Sequence, residues 1–178
     1  MANIKIKFNI KPLEKFRKDF SRQMKSNSLH TTLGSMWKLI GIVYLTFTRK
    51  RFSNYSRGGG NWPPLSPLTL ARRRKGKRGN KASILYDTGI LFGALSIGTR
   101  GNFFKKIPYG VQVGFSKTTK HKGNSTTIRD IAIIHDLGKG KMPKREILVE
   151  PDGSTTKRMH NIIRKKMQQF GKECENVS

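Results

Sequence analysis

The sequence predicts an α+β fold, a small antiparallel β-sheet flanked by a long helix and several shorter helices, with an extended proline-rich arm. Three observations predict it. Apolar residues recur at intervals of three and four from Leu29 to Phe47, the period of a helix that buries one stripe. Residues Asn3 to Ile10 alternate apolar and polar, the period of a half-buried strand. Pro63, Pro64 and Pro67 fix φ at about −65° and bar a central strand, so Trp62 to Pro67 is an extended arm. A chain of 178 residues fits one domain. Its parts are an N-terminal strand and helices (1–57), a Gly/Pro/basic arm (58–83) and an α+β core with a closing helix (84–178).

In chain order, Ile4, Ile6, Phe8 and Ile10 give the first strand its apolar face. Pro12 opens a helix with Leu13, Phe16, Phe20 and Met24 on one stripe, and Asn27-Ser28 breaks it. The long helix then carries Leu29, Leu33, Met36, Trp37, Ile40, Val43, Tyr44 and Phe47 as a core stripe. It is expected to end in Thr48-Arg49-Lys50-Arg51, where positive charge suits the C-terminal dipole. Gly58-Gly59-Gly60 reads as a flexible hinge before the Trp62 anchor. Ser66 as N-cap and Pro67 at the first helical position start a short helix, which runs into Arg72, Arg73, Arg74, Lys75, Lys77, Arg78 and Lys81.

Asp87 or Thr88 is expected to cap a helix bearing Leu91, Phe92 and Leu95. Ser96–Arg100 and Tyr109–Phe115 read as antiparallel strands, with Gly101-Asn102 as a turn and Pro108 delaying the pairing. Ser116–Ser125 lacks apolar residues and reads as a mobile loop. Thr126 or Thr127 caps a helix from Ile128 to Leu137, with Asp130 in its first turn and Gly138 as its stop. Gly138–Lys144 is a basic loop, Glu146–Glu150 a short strand and Pro151-Asp152-Gly153 a turn. The closing helix, Ser154 to Phe170, uses Met159, Ile162, Ile163, Met167 and Phe170 and stops at Gly171.

Charge dominates the composition. Lys and Arg number 37 against 10 Asp and Glu, a net +27. Such self-repulsion favours a polyanion or an acidic protein surface as partner. It is also local, since no acidic residue lies between Phe20 and Tyr86. The hydrophobic content of 35% implies a modest core with segments ordered by partners.

Several classes of chemistry find no support. Cys174 is the only cysteine, which excludes an intramolecular disulfide. His30, His121, His135 and His160 fall in different elements without ligand spacing, so no metal site is expected. Asp130 and Asp136 lie on different helix faces, and acids are too scattered for the carboxylate cluster of a metal nuclease. Gly58-Gly59-Gly60 has no GKS or GKT and no preceding parallel strand, so no nucleotide cofactor is expected. The N-terminus lacks an apolar signal core. Leu39–Phe47 is far shorter than the ~20 residues of a bilayer span. The basic run has neither zinc-finger spacing nor heptads. Its cations suit phosphates without base readout, or a carboxylate-rich partner that Arg grips bidentately.

Ordered segments of the chain resemble a known family. These are Arg51-Phe52, the arm Trp62-Pro63-Pro64-Leu65-Ser66-Pro67-Leu68-Thr69, the basic Arg72 to Lys75, and Ile84-Leu85-Tyr86-Asp87-Thr88-Gly89-Ile90-Leu91. Ala132, His135 and Gly138 follow on one helix, then Pro143 and Arg145, then the closing helix through Phe170. Together they resemble the tailed-phage virion morphogenesis family, the tail-completion proteins typified by Mu-like phages. Glu146 stands where the family often has Pro, and Phe92-Gly93-Ala94 where it usually has polar or basic residues. The resemblance implies a non-enzymatic virion protein of the neck or head-proximal tail end, assembled in the host cytoplasm. It also implies a homo-oligomeric ring that contacts tail terminator and connector proteins. Trp62, Pro64, Leu65 and Pro67 are the expected assembly contacts. Arg72, Arg73, Arg74, Lys75, Lys77 and Arg78 are expected to meet genome DNA in the channel or an acidic partner. The alternative is a protein that binds nucleic acid without sequence preference.

Overall fold

The computed structural model describes residues 3–7, 27–74, 83–107, 110–121 and 125–175. The fold is α+β. Its elements are β1 (Asn3–Lys7), α1 (Asn27–Ser56), α2 (Pro67–Arg74), α3 (Ile90–Gly93), β2 (Asn102–Ile107), β3 (Gly110–Phe115), α4 (Ile128–Leu137) and α5 (Gly153–Glu175). The helix expected after Pro12, the basic residues after Arg74, and Pro108 lie outside the described residues. The strands pair in the order β1-β3-β2. The two-residue connection between β2 and β3 makes that pair antiparallel. As the central strand, β3 is buried at Val111, Val113 and Phe115, whereas the outer β2 exposes Lys105 and Lys106.

The chain packs as two compact units interleaved in sequence. One comprises Met1–Ile4, Leu45–Phe104 and Val113–Glu150; the other comprises Lys5–Tyr44, Lys105–Gln112 and Pro151–Ser178. In the second unit the α1 stripe buries Met36, Trp37, Ile40, Val43 and Tyr44, and α5 buries Met159 and Phe170. In the first unit the core is Phe52, Trp62, Leu91, Leu95, Phe115, Ile128, Ala132 and Ile147.

Local chemistry explains both the agreements and the departures. Thr127 caps α4 as a full capping box: its Oγ1 accepts from Asp130 N–H, and the Asp130 carboxylate accepts from Thr127 N–H. Gly138 ends α4 with φ 65°. Ser66 Oγ accepts from Thr69 N–H at 3.2 Å and Pro67 is the first residue of α2.

Helix α1 does not stop at Arg51. Phe52 and Ser56 extend its buried face, and the end is built from the Gly-rich stretch. Gly58 N–H donates to Tyr55 O and Gly59 N–H to Asn54 O, both at 3.1 Å, with Gly58 at φ 90°. This is a Schellman cap. A Cβ on Gly59 would lie 2.2 Å from Asn54 Oδ1, and one on Gly60 would lie 2.1 Å from the Tyr55 ring. The glycines are therefore a packed cap, where a flexible hinge was expected.

Asp87 and Thr88 do not cap α3. The residue before it is Gly89 at φ 72°, with no side-chain cap, and Asp87 instead faces Arg73 at 3.8 Å. Ser96–Arg100 forms turns, because Thr99 Oγ1 donates back to Gly93 O and Ser96 O, and Gly98 takes φ 78°. The strand starts at Asn102. Glu146–Glu150 is not a strand, since side chains take the backbone groups a neighbouring strand would need. The loop Ser116–Ser125 is tied at both ends: Ser116 Oγ accepts from Thr118 and Thr119 N–H, and Lys120 bridges Thr127. Asp152 caps α5 through Thr155 N–H at 2.7 Å. The helix runs past Gly171 to Glu175, because Gly171 keeps a negative φ and so makes no left-handed stop.

Candidate functional site

The arm is held by one buried cation. Arg145 is 3% exposed. Its Nε donates to Pro63 O at 3.1 Å, and its Nη2 donates to Pro63 O at 2.9 Å and to Pro64 O at 3.1 Å. Proline gives each of these carbonyls a stiff, pre-set direction, and the planar guanidinium spans both. The Arg145 N–H donates in turn to His135 O at 2.7 Å, which extends the end of α4. One residue on, Glu146 O accepts from Trp62 Nε1 at 3.1 Å and from Arg51 at 2.8 Å. Ile147 N–H donates to Asp136 Oδ1 at 3.0 Å. Three consecutive residues, Arg145 to Ile147, thus join α1, the arm and α4.

Behind the clamp lies an aromatic cluster. Trp62, 6% exposed, meets Phe52 edge-on at 5.1 Å and Tyr55 at 5.5 Å. Arg51 stacks 4.4 Å over the Tyr55 ring, and Arg49 stacks 4.7 Å over Phe92 while donating to Ser96 Oγ. These two cations, expected at a helix end, instead hold the aromatics that seat the arm.

The arm, the 85–91 segment, α4 and the 141–145 loop enclose a groove of about 630 Å³. Its walls are mainly apolar, with Leu85, Ile90, Leu91, Ile131 and Met142 prominent. Leu85 holds a left-handed backbone at φ 58°, uncommon for a branched side chain. His135 reaches the groove with Nδ1 buried and lacking a hydrogen-bond partner. Burial, and then the nearby Arg145 charge, pull its pKa down to about 4, so the ring is neutral near pH 7. Burial raises the Asp136 carboxyl against the opposing pull of its bond from Ile147. Among the described residues no three His, Cys, Asp or Glu gather as metal ligands. The arrangement holds an extended segment in place.

The expected contact residues divide. Trp62 is occupied inside its own chain, and Leu65 is half-buried. Pro64 and Pro67 are exposed, and Leu68 stands 62% exposed beside them. Arg72 is exposed on α2, whereas Arg73 is engaged, donating to Ser83 O at 2.7 Å. Arg74 ends α2; Lys75, Lys77 and Arg78 lie outside the described residues. Sequence reasoning did not find the clamp itself. The signal present was the Pro143–Arg145 segment, but nothing local in it announces two carbonyls more than eighty positions away. Scans of the sequence against family models and curated proteins, and of the fold against solved structures, return no match. Among the described residues no helix is long and apolar enough to cross a membrane.

Proposed function

We propose that this chain is a structural virion protein that completes a phage tail or the head–tail connection, as a non-enzymatic assembly factor working in a ring of identical subunits. The observation that carries this reading is the Arg145 clamp. It joins the segments on which the family resemblance rests: the Trp-Pro-Pro arm, the helix of Ala132, His135 and Gly138, and the Pro143–Arg145 segment. An arm fixed in this way presents Pro64, Pro67 and Leu68 outward already ordered, so docking on a neighbour costs little further entropy. Tail terminator and connector proteins are the proposed neighbours, at the neck.

Imaging of particles assembled with this coding sequence interrupted tests the proposal. Normal-length tails unattached to filled heads are the expected result; intact, infectious particles would refute it. The excess of exposed cations favours a second reading, a nucleic-acid-binding protein without sequence preference. On that reading the same particles carry attached tails, and the defect lies in the DNA.

A further inference from the structure

Helix α5 carries its charge on one side. Lys157, Arg164, Lys165 and Lys172 recur with helical spacing on one face and Arg158 borders it; all five are exposed. The helix has no acidic residue before Glu173. Arg164 donates to Asn161 Oδ1, a neutral group. From Lys157 to Lys172 the face runs about 22 Å.

Three kinds of partner compete for such a face. A membrane surface or a helix-wrapping protein needs the apolar side of the helix. Here Met159 and Phe170 are 0% and 1% exposed, so that side is already buried. A protein interface needs an apolar or aromatic centre from which water is expelled. The side chains between the cations, Asn161 and Gln168, offer none. Phosphates need only positive charge along a line, and duplex DNA supplies one negative charge per about 1.7 Å of axis.

We infer that this face of α5 is a nucleic-acid contact, gripping the phosphate backbone of duplex DNA without reading its sequence. It is separate from the basic run after α2, and it does not depend on the virion reading. Bound phosphates displace condensed counterions, so each cation engaged adds about 0.9 to the log–log salt slope.

The test is fluorescence anisotropy of the full chain with two unrelated 30-base-pair duplexes, titrated across NaCl concentrations. The expected result is equal affinity for both duplexes. Neutralising the five cations to Gln should reduce the slope by about 4.5, and the pair Lys165→Gln/Lys172→Gln by about 2. The pair keeps the assignment testable if the fivefold variant loses helix by circular dichroism. A control neutralises five exposed cations elsewhere, Lys38, Lys50, Arg100, Lys117 and Lys139, and should change the slope less. Equal losses in the two fivefold variants, or an unchanged slope in the folded α5 variants, would overturn the assignment. Comparable binding to polyglutamate or to vesicles rich in anionic lipid would overturn it as well.

Discussion

Arg145 is a charge taken out of water, and among the described residues its side chain bonds carbonyl dipoles and no carboxylate. Removing it takes the donor from two part-buried carbonyls, and Arg145→Ala is expected to cost about 3 kcal/mol. Arg145→Lys should recover only part of this, because a point charge cannot span both carbonyls. Thermal denaturation of the two variants checks the ranking; a wild-type midpoint for Arg145→Lys would remove the geometric argument. His135 gives a separate, pH-dependent signature. Its ordinary value is 6.5 and its folded value about 4. Between these the unfolded chain binds a proton that the folded chain does not, so stability falls as pH drops below 6.5. Asp136, with a raised value, acts in the opposite sense at the acidic end, so the window for the test is the upper part of the span from 6.5 down to about 4. Melting midpoints should decline across it in the wild type and flatten in His135→Asn; identical slopes would show that His135 is not the titrating group.

At the scale of elements, the sequence was most legible where the determinants are neighbours. Thr127, Asp130 and Gly138 specify α4 within a dozen positions, and Ser66-Pro67 specifies the start of α2 as plainly. Legibility failed where a backbone finds its partners far along the chain. Glu146 to Glu150 has a strand's composition, but Trp62, Arg51 and Asp136 take its hydrogen bonds. The arm was legible as extended because proline enforces it; its docking on its own chain was not, because Arg145 lies 82 positions from Pro63. That docking changes the expectation for Trp62. Truncating a buried indole that packs on Phe52 and Tyr55 should cost about 4 kcal/mol, so Trp62→Ala is a folding variant. Leu68→Ser is the variant expected to stay folded and lose assembly. The glycines make a matched pair. Gly60→Ala drives a methyl into the Tyr55 ring and should cost about 2 kcal/mol. Gly171→Ala, with nothing within 4 Å inside α5, should gain up to about 1 kcal/mol. Urea midpoints moving in opposite directions would support both readings; a loss at Gly171 would contradict a continuous α5.

For the whole molecule, the net +27 sets what kind of surroundings the chain suits. Ion pairs such as Arg73 with Asp87 and Lys144 with Glu146 engage some cations, but 10 acidic residues cannot balance 37 basic ones. The remaining repulsion weakens a lone copy and is relieved by counterions, acidic neighbours or phosphates. The proposed virion assembly and the proposed phosphate contact of α5 would each answer that need. Quantitative mass spectrometry of density-purified, DNA-filled particles tests the central claim most directly. The account predicts a fixed, small number of copies per particle, the same whatever length of DNA is packaged. Absence of the chain from such particles, or a copy number that rises with DNA length, would contradict it.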